Sequence, residues 1–220
     1  WADEVARLAL SILAFVCGAV AYRRRQHAFV RVLLNVCPKG VQSACFALAD
    51  VLVLFCAGLT CFASVEFIAS SWSERTPILQ LPAATIAMPL PIGMLLLAFY
   101  AFVHLRREHR GMGWASALSL VAVLLLAGAT QSVWQPWLAG DTAISAVLIF
   151  FLVAIFAGVP VGFVLLLASA AYIYATDTAS MVVLPQSMVN GTGNFILLAV
   201  PFFILAGLVM ERGGISARLV

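Results

Sequence analysis

Three histidines, five cysteines and nine acidic residues are what this 220-residue chain offers for acid–base, metal or redox chemistry. His27, His104 and His109 lie beside arginines, in RRRQHAFVR and HLRREHRG, at the ends of apolar runs. A haem ligand must project from the interior face of a helix bundle, so these three read as solvated loop residues. Cys17, Cys37, Cys45, Cys56 and Cys61 are odd in number, lack C-x-x-C spacing and fall mostly within apolar runs, where free cysteine serves as a small packing residue. Asp50, in FALADVLVLF, is the only acid well inside an apolar run. An ionisable group there is costly, and two placements fit it: paired with a base from a neighbouring helix, or close to the headgroups. Asp3 and Glu4 stand at i,i+4 and i,i+3 spacing from Arg7 at a helix start, which reads as a helix-start device or a subunit contact. Phosphate-loop, nucleophile-elbow and zinc spacings are all missing, so neither ATP handling nor an intramembrane enzyme finds a convergent set of groups.

The remaining candidate is an interruption. Met181 to Val189 is a short apolar run, Asn190-Gly191-Thr192-Gly193-Asn194 breaks it, and Phe195 to Met210 resumes with Pro201 in its middle. Helix breaks at membrane depth survive only where protein or a watery cavity satisfies the freed backbone groups, and transporters use them to hold substrate and coupling ions. An ordinary polar loop before a short proline-containing helix fits the same letters. Asn190-Gly191-Thr192 also matches the glycosylation sequon, a tripeptide too common to weigh against a membrane segment.

These residues sit in a chain that is 64% hydrophobic and 10% charged, with mean hydropathy +1.10. Soluble domains are about half apolar and about a quarter charged, so the composition specifies an all-α polytopic membrane helical bundle. Six hydrophobic segments are expected, from Val5 to Tyr22, Ala44 to Ala69, Ile86 to Leu105, Trp114 to Trp134, Ala143 to Tyr174 and Phe195 to Met210. The net charge of +3 comes in bursts between spans, which encodes topology and gives no reason to expect nucleic acid. RRRQHAFVR and HLRREHRG are rich in arginine and assign to the cytoplasm; EFIASSWSERTPILQLP and QPWLAGDT assign to the opposite side. Trp114, Trp134 and Trp137 bracket the fourth segment as interfacial aromatics do. The fifth would reach nearly 50 Å as one straight helix. It contains AGVPVG, where Pro160 removes a donor and Gly158 and Gly162 have small-xxx-small spacing. The reading is one tilted, kinked helix, with two shorter pieces as the alternative. A single crossing leaves Arg212 and Arg218 on the outer side, against the charge rule.

NFILLAVPFFILAGLVMERGGISARLV resembles the early signature of the large (DctM-like) membrane subunit of tripartite ATP-independent periplasmic (TRAP) transporters, and FAGVPVGFVLLLASAAYIY resembles the helix before it. Pro160, Pro201, Gly207, Met210, Gly214 and Ile215 fall where that pattern has them, with Gly158 beside them in the same motif. WADEVARLALSILAFVCGAVAYRRRQHAFV and LQLPAATIAMPLPIGMLLLAFYAFVHLRR, with Pro89, Pro91 and Gly93, are similar to the second and last helices of the family's small (DctQ-like) subunit. The resemblance divides the chain into a small-subunit-like region 1–110, a linking transmembrane helix within 111–140 and the start of the large-subunit-like domain at 141–220.

What the resemblance implies is secondary active uptake of an organic acid, of C4-dicarboxylate or sialic-acid type, across a bacterial inner membrane. Sodium is the implied coupling ion, with no other cofactor and no resident metal, and a periplasmic binding protein is the implied partner. The sodium and substrate ligands are expected outside these residues, with Asn190 to Asn194 bordering the transport domain. A membrane anchor or scaffold for a partner protein is the competing reading. The chain opens on WADEVARLAL and closes on SARLV, so a longer polypeptide is expected. Sequencing the reading frame beyond Val220 checks this: a further series of apolar spans supports the transporter, and an immediate stop codon contradicts it.

Overall fold

A computed structural model describes residues 1–24, 38–108 and 141–214. The described residues form an all-α membrane bundle. α1 (Ala2–Ile12), a π-helical turn (Leu13–Cys17) and α2 (Gly18–Arg23) follow one another without a gap. α3 (Lys39–Ser71), α4 (Ala84–Ala87) and α5 (Pro89–Glu108) come next, then α6 (Asp141–Phe156), α7 (Val161–Thr176), α8 (Val183–Thr192) and α9 (Phe195–Arg212). Ala2–Arg23, Gly40–Ser71 and Ala84–Arg107 are each long and apolar enough to cross a bilayer, and Thr142–Phe156 and Val161–Thr176 are shorter apolar helices. These match the first three expected spans and the fifth. The fourth segment, the linking helix, His27, His109, Cys37 and the tryptophans at 114, 134 and 137 lie outside the described residues.

α3 is the axis. Val53 and Ala57, one turn apart, face a core made with Ala19 and Tyr22 of α2, Ala87 of α4, Leu90, Met94, Leu97 and Ala101 of α5, and Val189 of α8. Ala49, Leu52 and Cys56 form a second stripe that packs with Ala154, Val159, Val164 and Leu167 of the α6–α7 region. Positions three and four apart share a helix face, so a single helix presents two seams to two sets of neighbours. Alanine and cysteine on both seams let the backbones come close.

Each interruption has a local cause. Pro89 and Pro91 cannot donate to the carbonyls of Thr85 and Ala87, and the helix breaks at Met88 between α4 and α5. The carbonyl of Ile86, inside this weakened turn, accepts a 2.8 Å hydrogen bond from the fully buried Ser11 hydroxyl of α1. One turn further along, Gly93 meets the π-helical turn of the first span: a Cβ there would lie 2.5 Å from the Phe15 carbonyl oxygen and 2.7 Å from its Cβ. A backbone that close admits only glycine.

The fifth segment is two helices, not one kinked helix. Gly158, at φ +83°, ends α6 in the left-handed conformation. Its N–H bonds to the Ile155 carbonyl, and the N–H of Val159 bonds to Ala154, which is the Schellman pairing. Val159 and Ala154 also share the second core, the apolar contact that accompanies this motif. Pro160 then stands as N-cap of α7, in extended conformation, instead of kinking a helix from within. The small-xxx-small reading of Gly158 and Gly162 is corrected too: Gly158 serves the turn, and a Cβ on Gly162 would have no neighbour within 4 Å among the described residues.

Alanine substitutions in the full-length protein separate these roles by thermal melting in detergent. Gly158→Ala is expected to cost about 1–2 kcal/mol, the left-handed penalty. Gly93→Ala should be more damaging, since backbone must move. Gly58→Ala, where a Cβ meets nothing within 4 Å, should be neutral or stabilise by up to about 1 kcal/mol.

Candidate functional site

The interruption at residues 190–194 is shorter than the letters suggest. Asn190, Gly191 and Thr192 belong to the last turn of α8, and the break proper is Gly193, its C-cap, followed by Asn194. Gly193 N–H donates to the carbonyls of Val189 (3.3 Å) and Asn190 (3.2 Å), and Asn194 N–H to that of Gly191 (3.4 Å). The Thr192 hydroxyl returns to the Val189 carbonyl at 2.8 Å. Asn194 is the N-cap of α9, its Oδ1 accepting from the Ile196 N–H at 3.2 Å. The motif is therefore a turn whose backbone is bonded internally, with the Asn190 and Asn194 side chains exposed.

Its neighbour comes from the opposite end of the sequence. A Cβ on Gly193 would sit 3.7 Å from Cδ and 3.8 Å from a guanidinium nitrogen of Arg7. Arg7 is half-exposed and pairs with Asp3 at 3.0 Å, the expected i,i+4 contact. Glu4 does not take the expected i,i+3 partnership. It is buried, and its two carboxylate oxygens accept the N–H groups of Ile78 (2.8 Å) and Leu79 (3.0 Å) in the α3–α4 loop. Spacing along one helix cannot reveal a partner seventy residues away.

A second polar cluster lies toward the other end of the bundle. The Tyr22 hydroxyl donates to Oδ1 of buried Asp50 at 2.5 Å. The Tyr22 ring stacks on His104 (centroids 5.6 Å apart) and meets Phe163 edge-on at 6.1 Å. Asp50 therefore bonds to a phenol from the first span, and His104 is not a solvated loop residue: its Nδ1 is buried against the bundle. Arg23 lies over the Tyr100 ring at 5.6 Å, which gathers the basic ends of the first and third spans as the charge pattern requires. Cys56 is buried with its sulfur 3.7 Å from the Phe163 carbonyl oxygen, and Cys17, Cys45 and Cys61 are free thiols. Among the described residues no three of His, Cys, Asp and Glu converge as metal ligands do.

Pro201 is accommodated inside α9, an apolar helix exposed over most of its length, with Phe203 76% accessible. The chain leaves it through Gly213 and Gly214, the latter at φ +67°, so the double glycine is a helix stop that needs the second glycine. Ile215 and Arg218 lie outside the described residues.

Residues 1–111 match the family described as tripartite ATP-independent periplasmic transporters, DctQ component, and residues 147–220 match the DctM component of the same transporters. The chain belongs to the tripartite ATP-independent periplasmic transporters. Matches to both membrane components of that family stand in this one polypeptide. It is 27% identical over 235 residues to the sialic acid TRAP transporter permease SiaT of Haemophilus influenzae, covering all of this chain and 37% of that protein. It is 27% identical over 224 residues to the isethionate TRAP transporter permease DctMQ of Oleidesulfovibrio alaskensis, covering all of this chain and 34% of that protein. Its later part is 45% identical over 78 residues to the 2,3-diketo-L-gulonate large permease YiaN of Escherichia coli, covering 34% of this chain and 18% of that protein. The chain thus spans about a third of the length of the fused relatives it matches. Seen in those terms, Arg7 against Gly193 and Tyr22 against Phe163 are contacts between the DctQ-matching and DctM-matching regions.

Tyr22→Phe deletes the phenol donor and is expected to destabilise the protein by about 0.5–1.5 kcal/mol, the net worth of an ordinary hydrogen bond. Asp50→Asn keeps an acceptor oxygen and should cost less. Melting of the two purified variants checks the order.

Proposed function

We propose that this chain is the membrane part of a sodium-coupled TRAP transporter that imports an organic acid across the bacterial inner membrane. The observation that carries the reading is the presence of DctQ and DctM matches on one chain, in that order, with the two regions packed together. On this reading α1 to α5 are scaffold, 111–140 supplies the linking transmembrane helix, and α6 to α9 open the transporter domain. A periplasmic binding protein delivers the substrate. The relatives reported above are named for sialic acid, isethionate and 2,3-diketo-L-gulonate. These are all organic anions, so we assign a substrate of that class.

Asn190, Gly191, Thr192, Gly193 and Asn194 border the transport domain on this reading and do not ligate sodium. One feature supports it: the carbonyls of Val189, Asn190 and Gly191 already accept hydrogen bonds within the turn. Gly158, Pro160, Pro201, Gly207 and Gly214 act as structural positions.

The test is uptake of radiolabelled sialic acid, succinate and isethionate by the full-length protein in proteoliposomes with its binding protein. Uptake of one of these that requires both an inward sodium gradient and the binding protein is expected; uptake indifferent to sodium contradicts the reading. Asn194→Ala should lower stability by about 1 kcal/mol through the lost cap and leave the sodium dependence unchanged. Loss of sodium affinity in Asn190→Ala or Asn194→Ala, at normal expression, would overturn the bordering role.

A further inference from the structure

The α3–α4 loop, Trp72 to Ala83, combines two properties that rarely occur together in an exposed connection. Its apolar side chains point outward: Ile78 is 61% accessible, Trp72 56%, and Leu79 and Leu81 are exposed as well. Between Thr76 and Ala83, in contrast, five of the six backbone N–H groups are hydrogen-bonded within the protein. Thr76 N–H donates to the Leu81 carbonyl (2.8 Å) and Ala83 N–H to that of Glu74 (2.9 Å). Leu81 N–H donates to Thr76 Oγ1 (3.1 Å), while Ile78 and Leu79 N–H are taken by Glu4. Pro77 and Pro82 have no N–H to satisfy. Gln80, at φ +53°, turns its amide back to the Pro77 carbonyl (3.2 Å). A soluble loop has no need to satisfy its donors internally, because water does so; a loop that leaves water must.

The depth of this loop follows from the helix it is bonded to. Ala2–Arg23 has 22 residues, about 33 Å against a hydrocarbon core of about 30 Å. With Arg23 and Arg24 at one headgroup layer, Glu4 falls at the other, and Ile78 and Leu79 are hydrogen-bonded directly to it. The loop tip is therefore level with the membrane boundary and not raised above it. Trp1 and Trp72, both exposed, stand at the same end, where interfacial indoles are enriched.

We propose that Trp72, Ile78, Leu79 and Leu81 form an interfacial anchor that lies in the headgroup layer of the outer leaflet, held in its inserted shape by Glu4. The occupant of this apolar patch is lipid. The spans below it also expose large apolar side chains, and most N–H groups of the loop tip are satisfied in advance, as an apolar medium demands. The anchor ties the end of the first span to the turn between the second and third. It depends on the membrane orientation of the bundle and not on the transported substrate.

Spin labels at Ile78→Cys and Leu79→Cys test it, in full-length protein with its native cysteines replaced by alanine, in phosphatidylcholine and phosphatidylglycerol vesicles. Both labels are expected to be relaxed more by oxygen than by a water-soluble nickel chelate, at a depth near the headgroups. Glu4→Ala should shift them toward the chelate. Free chelate access in the parent protein, or protection that arises only when the binding protein is added, would overturn the proposal. Should the cysteine replacements prevent folding, Leu79→Trp in the native background gives the same readout. Added quenching by lipids brominated near the headgroup is expected, and no added quenching overturns the proposal.

Discussion

Everything in this structure answers to one constraint: inside a bilayer, a backbone N–H or carbonyl that loses its helical partner must find another in the protein. The sequence breaks its helices repeatedly, with proline at 89 and 91, a π-helical turn at Leu13–Cys17, Gly158-Val159-Pro160, and Gly193-Asn194. Beside three of these four breaks a further hydrogen bond is found. Ser11 bonds to the Ile86 carbonyl, the Schellman pairing closes α6, and Asn194 caps α9. Where no side chain intervenes, glycine removes the obstacle and backbone packs on backbone, as Gly93 does on Phe15.

The same devices join what match two separate membrane components. α3 gives one seam to the other spans of the DctQ-matching region and to Val189 of α8, and the other to α6 and α7. Tyr22 sits where these meet, bonded to Asp50 of α3, stacked on His104 of α5 and edge-on to Phe163 of α7. Toward the other end, Arg7 of the first span lies beside Gly193. On the proposed reading, a scaffold that touches the transporter domain at both levels is suited to hold part of that domain still while the rest moves. α9, apolar and largely uncovered, leads away from this contact.

Much of the architecture was legible because membrane insertion writes it in composition. Span positions, the basic end of the first span, where Arg23 lies over Tyr100, and the helix stop at Gly214 all depend on local letters. The fifth segment reads in the sequence as one kinked helix or as two shorter pieces for a specific reason. A glycine two residues before a proline fits both a kinked helix and a Schellman stop, and only the backbone angle at Gly158 separates them. Glu4, Asp50 and His104 were beyond reach, since each finds its partner on another helix or loop. The 190–194 turn fell between these cases: its position was evident, but not that three of its five residues are helical or that Arg7 adjoins it.

The central claim is that the first span and the 190–194 turn are fixed neighbours, so that the two component regions form one body at this contact. Cross-linking of Arg7→Cys with Gly193→Cys by a short bismaleimide, in membranes containing the full-length protein, tests it most directly. The account predicts intramolecular cross-linking that is equally efficient with and without sodium and substrate. Failure to cross-link when each cysteine alone is labelled, or cross-linking confined to one condition, would contradict it.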